Sequence, residues 1–507
     1  MRRESLAELH PAEAPSAIPP ESPASAPLGS VWWALAGALA ALAIGHAWWS
    51  QLNHDELEHL HAAWLVGQGQ VPFRDFLEQH HPTLWYLLAP LTRGIGSVRG
   101  LVFAARVADL ATLGAVLALV AGLLRRTYPE VAARWPLLLL GSSFMFVRNT
   151  MEVRPDPLMN LLLYAGLLCW IGFVQEGRPW RALLAGALFG AAAAVLQKAA
   201  VVMLLAAGGS VLVALLRRRD GRRAAPLLAG TAAMLAASAL PVAALFAFIA
   251  AHGYFREFWF WNYAFNRFFY TQARIAQHFS VWITVGLSVL EDPVLWGAGI
   301  CGMALAGREL SRARALGPRD EARLVLLLAA AGYAPFLALN RFPLEQYFLA
   351  LLPLLAVFSA EAFQRVTAER PRRWLERGAL FMPVVLAAIL VLHPGSAPQR
   401  RVQERVLSAT GPEEAVFVTP PFNPVYRFHG GFFWYNGAMI SDTYAQYCRL
   451  AGGCRGDALA LDEAQWASRP PRFVFIERPE YAPYRWKERA AAYAPTDVPG
   501  LLRRIEP

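Results

Sequence analysis

Residues 51 to 86 read QLNHDELEHLHAAWLVGQGQVPFRDFLEQHHPTLWY, a stretch dense in acids and histidines. Asp55 and Glu56 lie a few residues past the first apolar run, on a short amphipathic pattern with His59, Leu60 and Ala63. Arg74, Asp75, Glu78, His80 and His81 follow before Pro82. A carboxylate of this kind can take the proton of an attacking hydroxyl, and cations beside it can neutralise a phosphate. A loop outside the bilayer also needs polar residues simply to stay hydrated, so composition alone does not decide the role. Histidines 54, 59, 61, 80 and 81 with their neighbouring acids could hold zinc, although no HExxH or CxxC spacing accompanies them. No cofactor is required by the pattern, and a divalent metal stays open.

Further polar groups recur at the ends of apolar runs. Arg148 precedes the turn Arg154-Pro155-Asp156, where an arginine and an aspartate could pair structurally or meet substrate. Lys198 interrupts an apolar stretch, and Arg341 lies near Gln346-Tyr347. A lysine at such a position commonly snorkels to the interface; with Arg341 and the histidines it could instead bind phosphate. The segment WFWNYAFNRFFY, 259–270, carries Asn262, Asn266 and Arg267 among its aromatics. It fits an interfacial aromatic belt, or a lid over a sugar or a polyprenyl tail.

The elements that position these residues are apolar helices. Of 507 residues, 56% are hydrophobic and only 17% charged, where a soluble chain carries about a quarter. Runs approaching the ~20 residues that cross a bilayer recur from 31 to 393. With no water in hydrocarbon to satisfy the backbone, such runs are helices. Expected spans fall near 31–50, 101–124, 135–150, 157–174, 180–197, 199–216, 224–250, 283–306, 323–340, 347–363 and 378–393. The short run 83–98, with Pro90 and Arg93, is expected to be re-entrant or interfacial. That choice puts the arginine clusters at 125–134, 178–181, 217–223, 308–323 and 365–377 inside, as the positive-inside bias requires. It puts 51–82, the turn at 148–156, the loop 252–280 and the tail from 394 outside. The +10 formal charge is thereby explained by topology and does not point to nucleic acid.

The expected architecture is an all-α polytopic membrane protein of about eleven spans plus interfacial helices. Residues 1–30 read as a disordered cytoplasmic tail, 31–393 as the membrane module with 51–100 as its outer loop, and 394–507 as a small α/β extramembrane domain. Strand-like runs there are Val416 to Thr419 and Arg472 to Ile476. Cys448 and Cys454 could pair in an oxidising compartment, or remain two thiols. Asp292 is expected to cap a helix beginning at Pro293, since a buried unpaired carboxylate costs ~3 kcal/mol on insertion scales.

The acid pair after the first span, PFRDFLEQHHPTLWYLLAP, the RPD turn and NRFPLEQYFLALLPLLA together resemble GT-C type glycosyltransferases. The likeness is to bacterial relatives of protein O-mannosyltransferases and of the lipid A aminoarabinose transferase, over residues 31–363, and is most specific over 54–90. It implies a polyprenyl-phosphate-linked sugar as donor, a membrane lipid environment, an unidentified glycan, lipid or protein acceptor, and a periplasmic active site in a bacterial inner membrane. By position it implies that Asp55 is the general base or acceptor-orienting group, with Glu56 beside it and Asp156 as the second acid. His81 stands where many relatives carry a lysine, so it would contact the donor phosphate with His80, Lys198 and Arg341. Gln346 and Tyr347 fall where relatives carry His-Tyr; with Arg74, Arg154, Asn262 and Arg267 they would bind substrate. A flippase for lipid-linked glycans would need polar residues deep in several spans, where the pattern offers mainly Arg106 with Asp109. A non-enzymatic envelope assembly protein leaves the loop acids unexplained.

Overall fold

The computed structural model describes residues 30–128, 133–272, 281–339, 344–366, 369–454 and 457–505. The expected tail 1–30 falls almost wholly outside these residues, as does Arg341. Among the described residues, seven helices are long and apolar enough to cross a bilayer, beginning with Val31–Trp49 and Val98–Thr127 and ending with Arg370–Leu392. The other four expected spans are short or broken. Pro179–Val195 has 17 residues, and 135–150 is two eight-residue helices, Arg134–Gly141 and Phe144–Met151, parted at Ser142. Val281–Glu291 and Pro293–Arg312 meet at a 106° bend, and 347–363 starts with the tight turn Glu345–Ala350. The apolar runs predicted these helices and Pro293 the start of one, but not the breaks at Ser142 and at Glu345–Ala350.

Thr83–Gly94 has 12 residues, about 18 Å of helix against a ~30 Å core. It packs along His54–Gly67.

Small residues let the long helices touch. A Cβ at Gly186 or Gly190 would strike the Met234 or Ser238 carbonyl of the neighbouring helix, Ala225–Ala251. At one end of the bundle the arginine clusters are tied into ion pairs: Arg217 holds Glu321 at 2.5 Å, and Arg323 joins Glu309 at 2.6 Å to Glu361 at 2.8 Å.

Two expected polar contacts are corrected. Arg106 does not pair with Asp109. It grips Glu56 through two 2.6 Å bonds and also donates to Ser50 Oγ and the Ala47 and Gln51 carbonyls. Asp292 does precede Pro293, but it makes no side-chain cap there. Its carboxylate instead accepts from Ser143 Oγ at 2.7 Å and Phe144 N at 3.0 Å, capping the helix Phe144–Met151. The free N–H groups of that helix answer the desolvation that the sequence pattern warned of.

The C-terminal segment holds a five-stranded sheet, two of whose strands fall on the strand-like runs read from the sequence. Its strands are β1 (Ala415–Val418), β2 (Phe428–His429), β3 (Phe473–Phe475), β4 (Tyr493–Pro495) and β5 (Leu501–Arg504), in the order β2-β1-β3-β5-β4. β1 runs parallel to β2 and β3, while β5 is antiparallel to β3 and β4. Cys448 and Cys454 are joined as a disulfide. This domain is seated on the loop: Leu77 N donates to Phe432 O at 3.0 Å, and Trp434 Nε1 to Leu77 O at 3.1 Å. Leu57, Trp85, Phe258, Trp434 and Tyr444 share one apolar cluster, so loop, aromatic segment and domain form a single core.

Candidate active site

The acid helix His54–Gly67 starts where Asn53 and Glu56 cap each other. The Asn53 side chain accepts from Asp55 N at 3.0 Å, and Glu56 accepts from Asn53 N at 2.9 Å. Neighbouring acids thereby take opposite roles. Glu56 is fully buried on Arg106, whereas Asp55, one residue earlier, opens into a cavity of about 700 Å³. The Glu56–Arg106 pair joins the acid helix to the Arg106 helix, and Arg106 ties both to Ala47 and Ser50 at the end of the first span.

The cavity collects residues far apart in sequence. Its polar lining includes His54, Asp55, Glu58, His80, Asp156, Lys198, Asn262, Arg267, Gln346 and Tyr347. Leu196, Val201, Phe336 and Leu344 form an apolar flank. Asp55 faces Arg154 at 3.2 Å, and Arg154 also binds Glu152 at 2.7 Å. Burial by itself would raise the Asp55 carboxyl, but Arg154, with His54, His59 and His80 nearby, outweighs burial and holds it at about 2. Asp55 is therefore a permanent anion. Lys198 is bonded to Asp156, donates to the Gln346 carbonyl at 3.3 Å, and lies 4.5 Å over the Tyr347 ring. His80 sits between Glu58 at 3.5 Å and Glu78 at 3.7 Å. Burial pushes its imidazole down, and the two carboxylates more than reverse this, to about 10.

Several expected site residues stand elsewhere. His81 does not line the cavity. Its ring bonds the Ala194 carbonyl at 3.1 Å and the Tyr263 hydroxyl at 3.1 Å, and burial lowers it to about 4, so it is neutral and supports Tyr263. Arg74 is exposed, pairs with Asp75, and borders a separate opening beside Phe255 and Tyr447. Arg154 lies behind Asp55 as its counter-ion. Asn262 lines the cavity while fastening the His80 carbonyl at 3.0 Å, and Asn266 likewise holds the Gln79 carbonyl at 2.7 Å.

Other lining residues were not anticipated. Glu58 follows Asp55 by three positions and shares its helix face, a signal that the spacing contained. Asn436, Met439 and Tyr481 come from the C-terminal domain, and His54 Nδ1 reaches the Pro420 carbonyl at 3.1 Å. No local pattern could have placed them there.

Most histidines proposed for a metal are already engaged. His59 Nδ1 accepts from Trp85 Nε1 at 3.1 Å, and His61 bonds the Val425 carbonyl at 2.7 Å and His429 at 3.3 Å. His54 and His80 remain, either side of Glu58. Among the described residues, His54, Asp55 and Glu58 each bring one ligand atom within 4.8 Å of the others.

The sum is a cavity with fixed carboxylates, several cations and an apolar flank. The model of the dolichyl-phosphate-mannose-protein mannosyltransferase family matches residues 80–243. ArnT from Cupriavidus metallidurans bound to undecaprenyl phosphate superposes with a TM-score of 0.59 at 13% identity, covering 90% of this chain and 97% of that one. This chain has the GT-C glycosyltransferase fold. The oligosaccharyltransferase of Archaeoglobus fulgidus in its apo form agrees, at a TM-score of 0.51 and 10% identity, over 87% of this chain and 69% of that one. No curated protein matches the sequence. In this chain the loop after the first span and the RPD turn meet, so that Asp55 and Asp156 line one cavity.

Proposed function

We propose that the chain transfers a sugar from a polyprenyl-phosphate donor to an envelope acceptor, at the periplasmic face of a bacterial inner membrane. The observation that carries this is the shared cavity: Asp55, the Lys198–Asp156 pair, His80 and Arg267 on one side, the apolar flank of Leu196, Val201, Phe336 and Leu344 on the other. A phosphate-bearing isoprenoid needs both, cations for its head and a hydrocarbon wall for its tail. Lys198, Arg267 and His80 would neutralise charge growing on the bridging phosphate oxygen. Asp55 would accept a hydrogen bond from the acceptor hydroxyl as it attacks the anomeric carbon, taking the proton late, because a carboxyl held at about 2 is a weak base. Phosphate leaves without a protonated second carboxyl, so a single displacement with inversion is the expected course.

Arginine clusters at the opposite end of the bundle favour that end as cytoplasmic. The Cys448–Cys454 disulfide, on the domain that roofs the cavity, favours an oxidising compartment on this side. Assay of the purified protein in lipid with a polyprenyl-phosphate sugar tests the reading. Loss of transfer in Asp55→Asn, with fold retained, is expected; undiminished transfer in that variant removes Asp55 from the mechanism. A cysteine at position 55 reachable only from the cytoplasm would overturn the sidedness.

A further inference from the structure

We propose that Asn436, with the carboxamide oxygens of Asn262 and Asn266, forms the subsite that accepts hydrogen bonds from ring hydroxyls of the transferred sugar. The inference rests on the sugar-transfer reading and deepens it, by naming the part of the cavity that meets the sugar and the atoms that select among sugars.

Asn262 and Asn266 supply the first observation. Each donates its amide nitrogen to a carbonyl of the first outer loop, His80 O at 3.0 Å and Gln79 O at 2.7 Å. Those bonds fix which end of each amide is oxygen. Both Oδ1 atoms are then left without a hydrogen-bond partner in the protein, although Asn262 is only 1% exposed. A buried acceptor left unpaired is costly, and in a native fold it calls for a ligand or another cause. Asn262 lies in a single π-helical turn, Phe260–Phe265, a geometry frequent at functional sites.

Asn436 is the second and independent observation. It reaches the same cavity from the C-terminal domain, and its Oδ1 is also unpartnered. Its backbone is left-handed, with φ of 50°, and it precedes the helix Gly437–Leu450 without capping it. Asparagine tolerates that conformation, but glycine adopts it at less cost, so the backbone alone does not call for a carboxamide. Three acceptor oxygens lacking donors thus belong to residues around one cavity, and a sugar ring is rich in hydroxyl donors. Met439 and Tyr481, from the same domain, add apolar surface for the C–H face of the ring. A site built to bond a hydroxyl rejects analogues that lack it, because its own buried groups are then left unpaired.

The test is equilibrium binding to the detergent-purified full chain of undecaprenyl phosphate, and of undecaprenyl phosphate bearing glucose, mannose, galactose or xylose. At least one glycosylated lipid is expected to bind about tenfold or more tighter than undecaprenyl phosphate. Asn436→Gly, which keeps the left-handed backbone, is expected to shrink that ratio about fivefold or more. An unchanged ratio in Asn436→Gly, or no glycosylated lipid preferred over undecaprenyl phosphate, overturns the proposal. Should the variant misfold, the unaltered chain decides, with analogues of the preferred lipid in which one ring hydroxyl at a time becomes fluorine. Fluorine can accept a hydrogen bond but cannot donate one, so at least one exchange is expected to remove most of the preference. Full preference in every analogue overturns the proposal. A chain that binds undecaprenyl phosphate but fails these tests sinks this inference alone, whereas one that binds none of the lipids sinks the sugar-transfer reading with it.

Discussion

The two ends of the helix bundle are both rich in charge, and they use it differently. At the arginine-rich end Glu321 takes Arg217 and Arg222, while Glu309 and Glu361 share Arg323 and Arg365. An opening of about 920 Å³ there has Glu309, Arg323 and Arg365, all three already in ion pairs, in its lining. At the cavity end Asp55, Glu58, His80 and Lys198 have ion-pair partners yet also line open space. Saturated ion pairs fix helices in place, whereas a charge with spare valence can meet a ligand. Asp55 and Glu56 repeat the contrast within two residues.

The sharpest way to break this comparison is Asp55→Asn. It is expected to cut sugar transfer by about 10²- to 10⁴-fold, the usual worth of a proton-accepting group, in an assay normalised to the folded fraction. Glu56→Gln should do the reverse. Breaking its buried pair with Arg106 is expected to cost about 3–5 kcal/mol of stability, seen as a lower Tm in detergent, while the folded fraction keeps its rate. Next comes Lys198→Met, expected to lower kcat/KM by about 10²-fold through lost phosphate stabilisation. A rate equal to that of the parent chain would make the Lys198–Asp156 pair purely structural. Glu321→Gln, at the saturated end, should lower Tm and leave turnover per folded molecule unaltered.

The smallest effect is expected at His81. Its folded pKa, about 4, lies below the ordinary histidine value, so folding favours the neutral ring. Its contribution to stability is present above the unfolded value near 6.5 and is lost as pH falls towards 4. His81→Gln should flatten the drop in Tm across that window and leave the salt dependence of donor binding as it was. A changed salt dependence would return His81 to the phosphate.

Much of this was legible in the residues, for identifiable reasons. Apolar runs specify helices because lipid offers the backbone no alternative partner. Asp55, Asp156, His80, Lys198, Gln346 and Tyr347 were all singled out, and all line the cavity. His81 and Glu56 were misassigned because sequence position tells that a polar residue is near the bilayer surface, but not which way it faces. Glu56 turned inward once Arg106, fifty residues on, supplied a guanidinium, and His81 did so once Ala194 and Tyr263 supplied partners.

The sequence by itself determined the helical membrane module, the small α/β domain and the strip of acids that follows the first span, because hydropathy and local capping act over a few residues. Only the tertiary structure decided which acids stay open, that Asp292 caps a distant helix, and that Asn436 and Tyr481 roof the site. Those outcomes depend on partners brought from far along the chain, and desolvation forces each buried charge to take whichever partner the packing delivers.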